Sequence, residues 1–389
     1  MVMIGMENHV RWNQSGGTMR ARRAHVRNVG PWDLSGGTMR FGHFFFPMKF
    51  DDTQDEQAIQ DCLHEAQLIE ELGMDAIWFA EHYFTGECVY GDPLVFASAV
   101  AVKTSRVLLG FGIIELPLHN PVRVAIQTAL LDNLCQGRLV VGTAKGSNYN
   151  AYEYVGFGTT PGLGVEQMEE AEDLLVKAWT EDNVDFKGKY WQVSFPSVRP
   201  RPYQKPHPPL ARACTGDESI IEMAKIGRPV LLRGGSINRT GENIRLYRDT
   251  MASAGFGEEA VERALDQIWV WREMHVAETD DQALDEFLPA HYRAYTHMET
   301  VRERWNPKDL PMTRQRPPRD RAGYQGSPDP DAPQNLIGSP KRVAEQVALM
   351  RDAGVRNLML TNRGLMSREK TDTSLKLLTG KVMPLFKGG

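Results

Sequence analysis

Cysteine is scarce: the 389-residue chain has four, Cys62, Cys88, Cys135 and Cys214, far apart and with no C-x-x-C pair. That spacing excludes a disulfide framework and a structural zinc site, and it makes a reducing cytoplasm the expected compartment. Long apolar runs are also missing. The longest, Val107–Ile114, contains two glycines and stops at Glu115, well short of the roughly 20 residues that a membrane helix needs. Basic charge is not in excess, and the net charge of −5 argues against nucleic acid as the main partner. A Walker or dinucleotide fingerprint, an H-E-x-x-H pair and a G-x-S-x-G elbow are all absent, which removes the chemistries those motifs carry. A metal-dependent barrel hydrolase could recruit His43, His82 and Asp92, but the His-x-His pair on a first strand is lacking. No metal is expected.

Residues 1–38 differ from everything after them. They carry five Arg against Glu7 and Asp33, hold no apolar core segment, and repeat Ser15-Gly-Gly-Thr-Met-Arg20 as Ser35-Gly-Gly-Thr-Met-Arg40. A signal peptide would need an apolar h-region. The segment reads instead as a disordered or duplicated leader, with a single domain over 39–389.

From Met39 onward, strand-like apolar runs alternate with stretches of helical period. Strands are expected at Arg40–Phe46, around Ile77, and at Val107–Ile114, Leu139–Gly142, Leu210–Cys214, Val230–Leu232, Ile268–Val276 and Asn357–Leu360. Among the helices are Gln54–Leu72, Pro121–Asn133, Val165–Trp179 and Asp280–Tyr295, and Asp185–Trp191 reads as a hairpin turning at Gly188. Eight strand–helix alternations with short links predict an α/β protein, a (β/α)8 TIM barrel. The competing doubly wound sheet fits the count of eight less well. Residues 297–334, rich in Arg, Pro and Asp, interrupt the pattern between strands seven and eight. A segment that long in a compact domain is either a lid or a floppy insertion, and a lid over a reactive intermediate is the sharper expectation.

Chemistry is expected in Ala76–Phe84. There the apolar Ile77-Trp78-Phe79 breaks off into Glu81-His82-Tyr83, three groups able to hold or exchange protons, as suits the C-terminal mouth of a barrel strand. The plain alternative is a structural pair, with Glu81 holding His82. Two loops suit an anion. Gly142-Thr-Ala-Lys-Gly146 puts Lys145 at the mouth, and Thr215-Gly-Asp-Glu-Ser219 opens a helix whose free N–H groups and dipole face a ligand. The second loop also reads as an ordinary helix cap.

Several stretches together resemble the bacterial luciferase family of flavin-dependent monooxygenases. Phe79-Ala-Glu-His-Tyr-Phe-Thr85 is similar to that family's E-H-H-F segment, and Leu131-Asp-Asn-Leu-Cys-Gln-Gly-Arg138 to its L-D-x-x-S-x-G-R run. Gly91-Asp-Pro-Leu94, Leu116-Pro-Leu-His-Asn-Pro121 and Val382-Met-Pro-Leu-Phe386 extend the likeness across 39–387. The resemblance implies reduced FMN, supplied by a separate flavin reductase, reacting with dioxygen through a C4a-peroxyflavin to oxidise a small, largely apolar aldehyde, ketone or aromatic compound. It also implies a homodimer paired through barrel-side helices. By position, His82 matches the active-site histidine, with Glu81 poising it. Lys145 falls on a phosphate-binding arginine, Thr215, Gly216 and Ser219 on the phosphate turn, and Gly112-Ile113 on a non-prolyl cis bond under the flavin. Phe44, Phe46, Trp78 and Phe111 are expected to wall the substrate pocket. Ala144, Tyr83 and Lys145 depart from the luciferase pattern, which argues against light emission. Alternatives are hydride transfer with a deazaflavin on the same barrel, or a non-catalytic flavin-holding relative.

Overall fold

Eight parallel strands close on themselves in the computed structural model, which describes residues 38–160, 164–309, 321, 335–362 and 365–387. They are β1 (Arg40–Phe45), β2 (Ala76–Phe79), β3 (Leu108–Phe111), β4 (Leu139–Ala144), β5 (Leu210–Cys214), β6 (Val230–Leu232), β7 (Trp269–Val276) and β8 (Asn357–Thr361). Each pairs with its neighbour in chain order, and β1 seals the ring: Gly42 lies opposite Ala76 on one side and Met359 on the other. The helices around the ring are α1 (Asp55–Glu71), α2 (Pro93–Lys103), α3 (Pro121–Leu134), α4 (Gly164–Thr180), α5 (Asp217–Lys225), α6 (Ile237–Ser253), α7 (Asp280–Trp305), α8 (Pro340–Asp352) and α9 (Arg368–Leu377). The expected (β/α)8 barrel is therefore the architecture found.

Period-two alternation divides every strand between two cores. Phe41 and Phe45 of β1, Ile77 and Phe79 of β2, and Phe111 of β3 pack outward into the strand–helix layer. Phe44, Phe46, Ala76, Trp78, Trp269 and Met359 pack inside the barrel. The Trp78 and Trp269 rings meet edge to face, 5.2 Å between centroids. Glycine makes room for them: a Cβ on Gly110 would stand 2.5 Å from the Trp78 ring. The interior is thus plugged by side chains from below, as in barrels generally.

Beyond shifts of a few residues at strand ends, three differences from expectation matter. The hairpin's strands are Val184–Lys187 and Gln192–Phe195, so its turn spans Gly188–Trp191. A helix at Glu258–Leu265 was not foreseen. Most consequential, α7 runs 26 residues to Trp305 despite Pro289, so the lid cannot begin at His297. The buried stripe Phe287, Ala290, Ala294, Met298, Arg302 keeps helical spacing through the expected boundary. Residues 310–320 and 322–334, the rest of that lid, and residues 1–37 of the leader lie outside the described residues.

Candidate active site

A cavity of about 210 Å³ opens at the C-terminal end of the barrel. Its apolar wall comes from strand ends: Phe44 on β1 and Phe46 just after it, Ala213 on β5, Leu231 and Leu232 on β6, Trp271 on β7 and Met359 on β8. Its polar wall is His82, Glu87, Ser147, Tyr149, Asn150, Arg233 and Arg302. Gly112 and Ile113 line it too, joined by a cis peptide bond. The Phe44 ring sits 2.7 Å from where a Gly112 side chain would start, so only glycine fits there.

Five of the sequence-predicted residues, Phe44, Phe46, His82, Gly112 and Ile113, thus meet at one cavity. Trp78 and Phe111 do not. Trp78 points inward but lies against Trp269, two residues below the cavity-lining Trp271, and Phe111 faces outward against Phe79. Alternation sends Gly110, not Phe111, to the inner face.

Glu81 does not poise His82, a second correction. Its carboxylate accepts from His119 at 2.6 Å, from the Tyr83 hydroxyl and from the Glu115 backbone N–H. At the strand end neighbours point to opposite sides, so Glu81 turns away from the cavity that His82 enters. Burial would lower the His119 pKa, but Glu81 outweighs it and raises it. The Tyr83 phenol is raised by burial and then by Glu81.

His82 has other partners. Its Nδ1 lies 3.2 Å from Glu153 Oε1 and 3.9 Å from Glu87 Oε2. Asn150 Nδ2 stands 3.2 Å from the same nitrogen and donates to Glu87 at 3.1 Å, while Arg302 Nε donates to Asn150 at 2.9 Å. Burial favours neutral imidazole here, but Glu87 and Glu153 overcome it and push His82 up to about 10. The raised pKa favours the protonated ring at neutral pH, with its Nδ1 side held by Glu153. Glu153 itself is raised by burial, against the pull of His82. Sequence reasoning missed Glu87, Asn150, Glu153 and Arg302. Two signals were available: Glu153 is a lone charge between Tyr152 and Tyr154, and Arg302 ends an apolar stripe.

The two anion-suited turns sit at the same end as the cavity, because β4 and β5 are adjacent and parallel. Lys145 is exposed just past β4, and its carbonyl accepts from the Tyr154 hydroxyl. Thr215 and Gly216 are exposed between β5 and α5, two and three residues beyond the cavity-lining Ala213. The Ser219 hydroxyl donates to the Gly216 carbonyl at 2.8 Å. Gly216 caps α5 and no described side chain bonds the first amides of the helix, as an anion-binding helix start requires. None of Lys145, Thr215, Gly216 and Ser219 borders the cavity itself.

The profile of luciferase-like monooxygenases matches residues 39–357. Limonene 1,2-monooxygenase of Rhodococcus erythropolis is 28% identical over 253 residues, 62% of each chain. The F420-dependent glucose-6-phosphate dehydrogenase of Amycolatopsis mediterranei is 27% identical over 216 residues, 54% of this chain and 62% of that one. The alignments thus cover under two thirds of these relatives' length. Among solved structures, the oxygenating constituent of 3,6-diketocamphane monooxygenase from Pseudomonas putida, in complex with FMN, superposes with a TM-score of 0.69. It shares 17% identity over 89% of this chain and 98% of that one, a likeness of fold.

Proposed function

The chain belongs to the luciferase-like monooxygenase family, and from that premise we propose that it is the oxygenase of a two-component system. It takes reduced FMN from a separate flavin reductase and uses dioxygen to oxidise a small, largely apolar aldehyde, ketone or aromatic compound. The observation that carries this is the cavity itself, with apolar strand ends on one side and His82 on the other, at the same end as two open turns.

These residues suit a flavin. Thr215, Gly216 and Ser219 at the start of α5, with Lys145 across from them, would hold its phosphate. Gly112 and Ile113, backed by Phe44, offer a flat bare stretch for the ring system. When bound, reduced FMN supplies the activation of dioxygen and the transfer of one oxygen atom. The protein's share is to orient, to exclude water with Phe44, Phe46 and Trp271, and to hold or move a proton at the imidazole edge of His82. Glu81 acts at one remove, through His119 and Tyr83.

His82→Ala tests the assignment. Its affinity for reduced FMN, measured anaerobically, should stay within about twofold of the parent, while substrate oxygenated per flavin consumed falls roughly 10²–10⁴-fold, the usual worth of a positioned proton donor. A variant that oxidises a compound panel as fast as the parent removes His82 from the chemistry. The Amycolatopsis relative supports a second reading, hydride transfer with a deazaflavin. Anaerobic reduction of F420 by substrate, with no oxygenated product when reduced FMN and dioxygen are supplied, would replace the first reading with the second.

The molecule also bears on its own assembly, which we read as a homodimer. α2 is apolar on almost every side, its only polar residues past the first turn being Ser98 and Lys103. No described helix is long and apolar enough to cross a membrane. Four unpaired, buried cysteines suit a reducing compartment such as the cytoplasm.

A further inference from the structure

We propose that Glu115, Glu153 and His82 form a binding site for a divalent transition-metal cation behind the cavity wall. Each offers one ligand atom, and the three atoms lie within 4.8 Å of one another. Nitrogen and oxygen ligands bind such ions at about 2.0–2.2 Å, so atoms around one ion stand roughly 3–4 Å apart. Small side-chain movements would close this cluster around a cation.

The second observation is independent of the spacing. Glu115 Oε2 and Glu153 Oε2 are buried and have no hydrogen-bond partner. The two residues are 2% and 1% exposed, so bulk solvent does not reach them, and a buried carboxylate oxygen left unpaired is costly. The charge that Glu115 meets is mostly negative, Glu153, Glu81 and Glu87 against His82. Glu81 and Glu87 are buried on the loop after β2. The cations that face the cluster are already shared: His119 is held by Glu81, and Arg302 binds Asn150 and Glu299. Tyr154 places its hydroxyl on the Lys145 carbonyl. Carboxylates therefore outnumber the cations that could answer them.

The donor set selects the ion. An imidazole with two carboxylates suits Mn²⁺, Fe²⁺, Co²⁺ or Zn²⁺, whereas Ca²⁺ would want six to eight oxygens. The ligands come from three separate segments: the loop after β2, the two-residue strand Ile114–Glu115, and the short helix Ala151–Gly156. A cation there would tie these together through the Nδ1 side of His82, the side that faces Glu153. Cation and proton are then alternative occupants of one imidazole. The inference does not depend on the flavin reading, since it concerns the protein without cofactor.

The experiment uses the full-length, flavin-free protein, stripped with a chelator and titrated with Co²⁺ by visible absorption and calorimetry. One Co²⁺ per chain should bind saturably. Glu115→Gln and Glu153→Gln should each weaken binding roughly tenfold or more, while the exposed Glu166→Gln leaves it unchanged. Circular dichroism checks each fold, and if one variant fails to fold the other carries the result. Absence of saturable uptake at millimolar Co²⁺, or uptake that neither substitution alters, overturns the proposal and leaves protons as the only occupants.

Discussion

Glu70, near the end of α1, collects donors from the turn that precedes β3. Its carboxylate accepts the backbone N–H groups of Ser105, Arg106 and Val107 at 2.8–3.1 Å and the Ser105 hydroxyl at 2.9 Å. Partial burial works to raise its pKa, but these bonds outweigh burial and lower it to about 2. A depressed carboxylate stabilises the fold above its unfolded pKa, near 4.5, and that stabilisation fades as pH falls through about 2. Glu70→Gln should therefore cost roughly 1–2 kcal/mol at pH 7, after discounting for solvent screening. Denaturant midpoints of parent and variant should converge as pH drops from about 4.5 toward 2; a gap that stays constant would show that charge is not the cause. The same scale shows why the trio Glu81-His82-Tyr83 was only half legible. Its residue types announce proton chemistry, but the partners that decide each role are Glu87, Glu153 and His119. Glu153 comes from a helix 71 residues further along the chain, and no local pattern names it.

Elements were more legible where one physical signal dominates. The β6 boundaries coincide with its apolar run, Val230–Leu232, because strands buried on both faces read as continuous apolar stretches, and β5 keeps the expected bounds Leu210–Cys214 although Arg212, paired with Glu172, interrupts the pattern. The last turns of α7 were lost because their many charges resemble loop composition. Those turns do structural work for the site. Asn306, just past the end of α7, accepts from the Tyr152 N–H at 3.0 Å and donates to the Tyr149 carbonyl at 2.9 Å, while the ring of His297 stacks on Phe50 at 3.6 Å. Asn306 is buried, so Asn306→Ala leaves two backbone groups short of a partner, at about 1–3 kcal/mol. The expected result is faster amide hydrogen exchange in residues 149–156, with β1 to β8 unchanged. Uniform acceleration through the barrel, or none in 149–156, would place the helix end outside the site's support.

At the scale of the whole molecule, the count of eight alternations carried the barrel, since a closed parallel ring is the simplest way to bury both faces of every strand. What a single chain's pattern does not announce is which outer helices need a further partner. α2 answers this through composition: a helix apolar all round belongs in an interior, yet Val95 and Val102 are 64% and 66% exposed, and on the neighbouring α3 Leu130 and Leu134 are exposed as well. A patch made from two adjacent helices is a face that a second copy can cover with the same residues by twofold symmetry. Light scattering on the eluted protein should therefore give twice the 43.8 kDa chain mass. Val102→Glu with Leu130→Glu should give the chain mass alone, because it sets like charges into a surface that must exclude water. Neither side chain is part of the barrel core, so the monomer should keep its far-UV circular dichroism. A parent that elutes as a monomer, or a variant that stays paired, would mean that some other surface, or none, joins the copies.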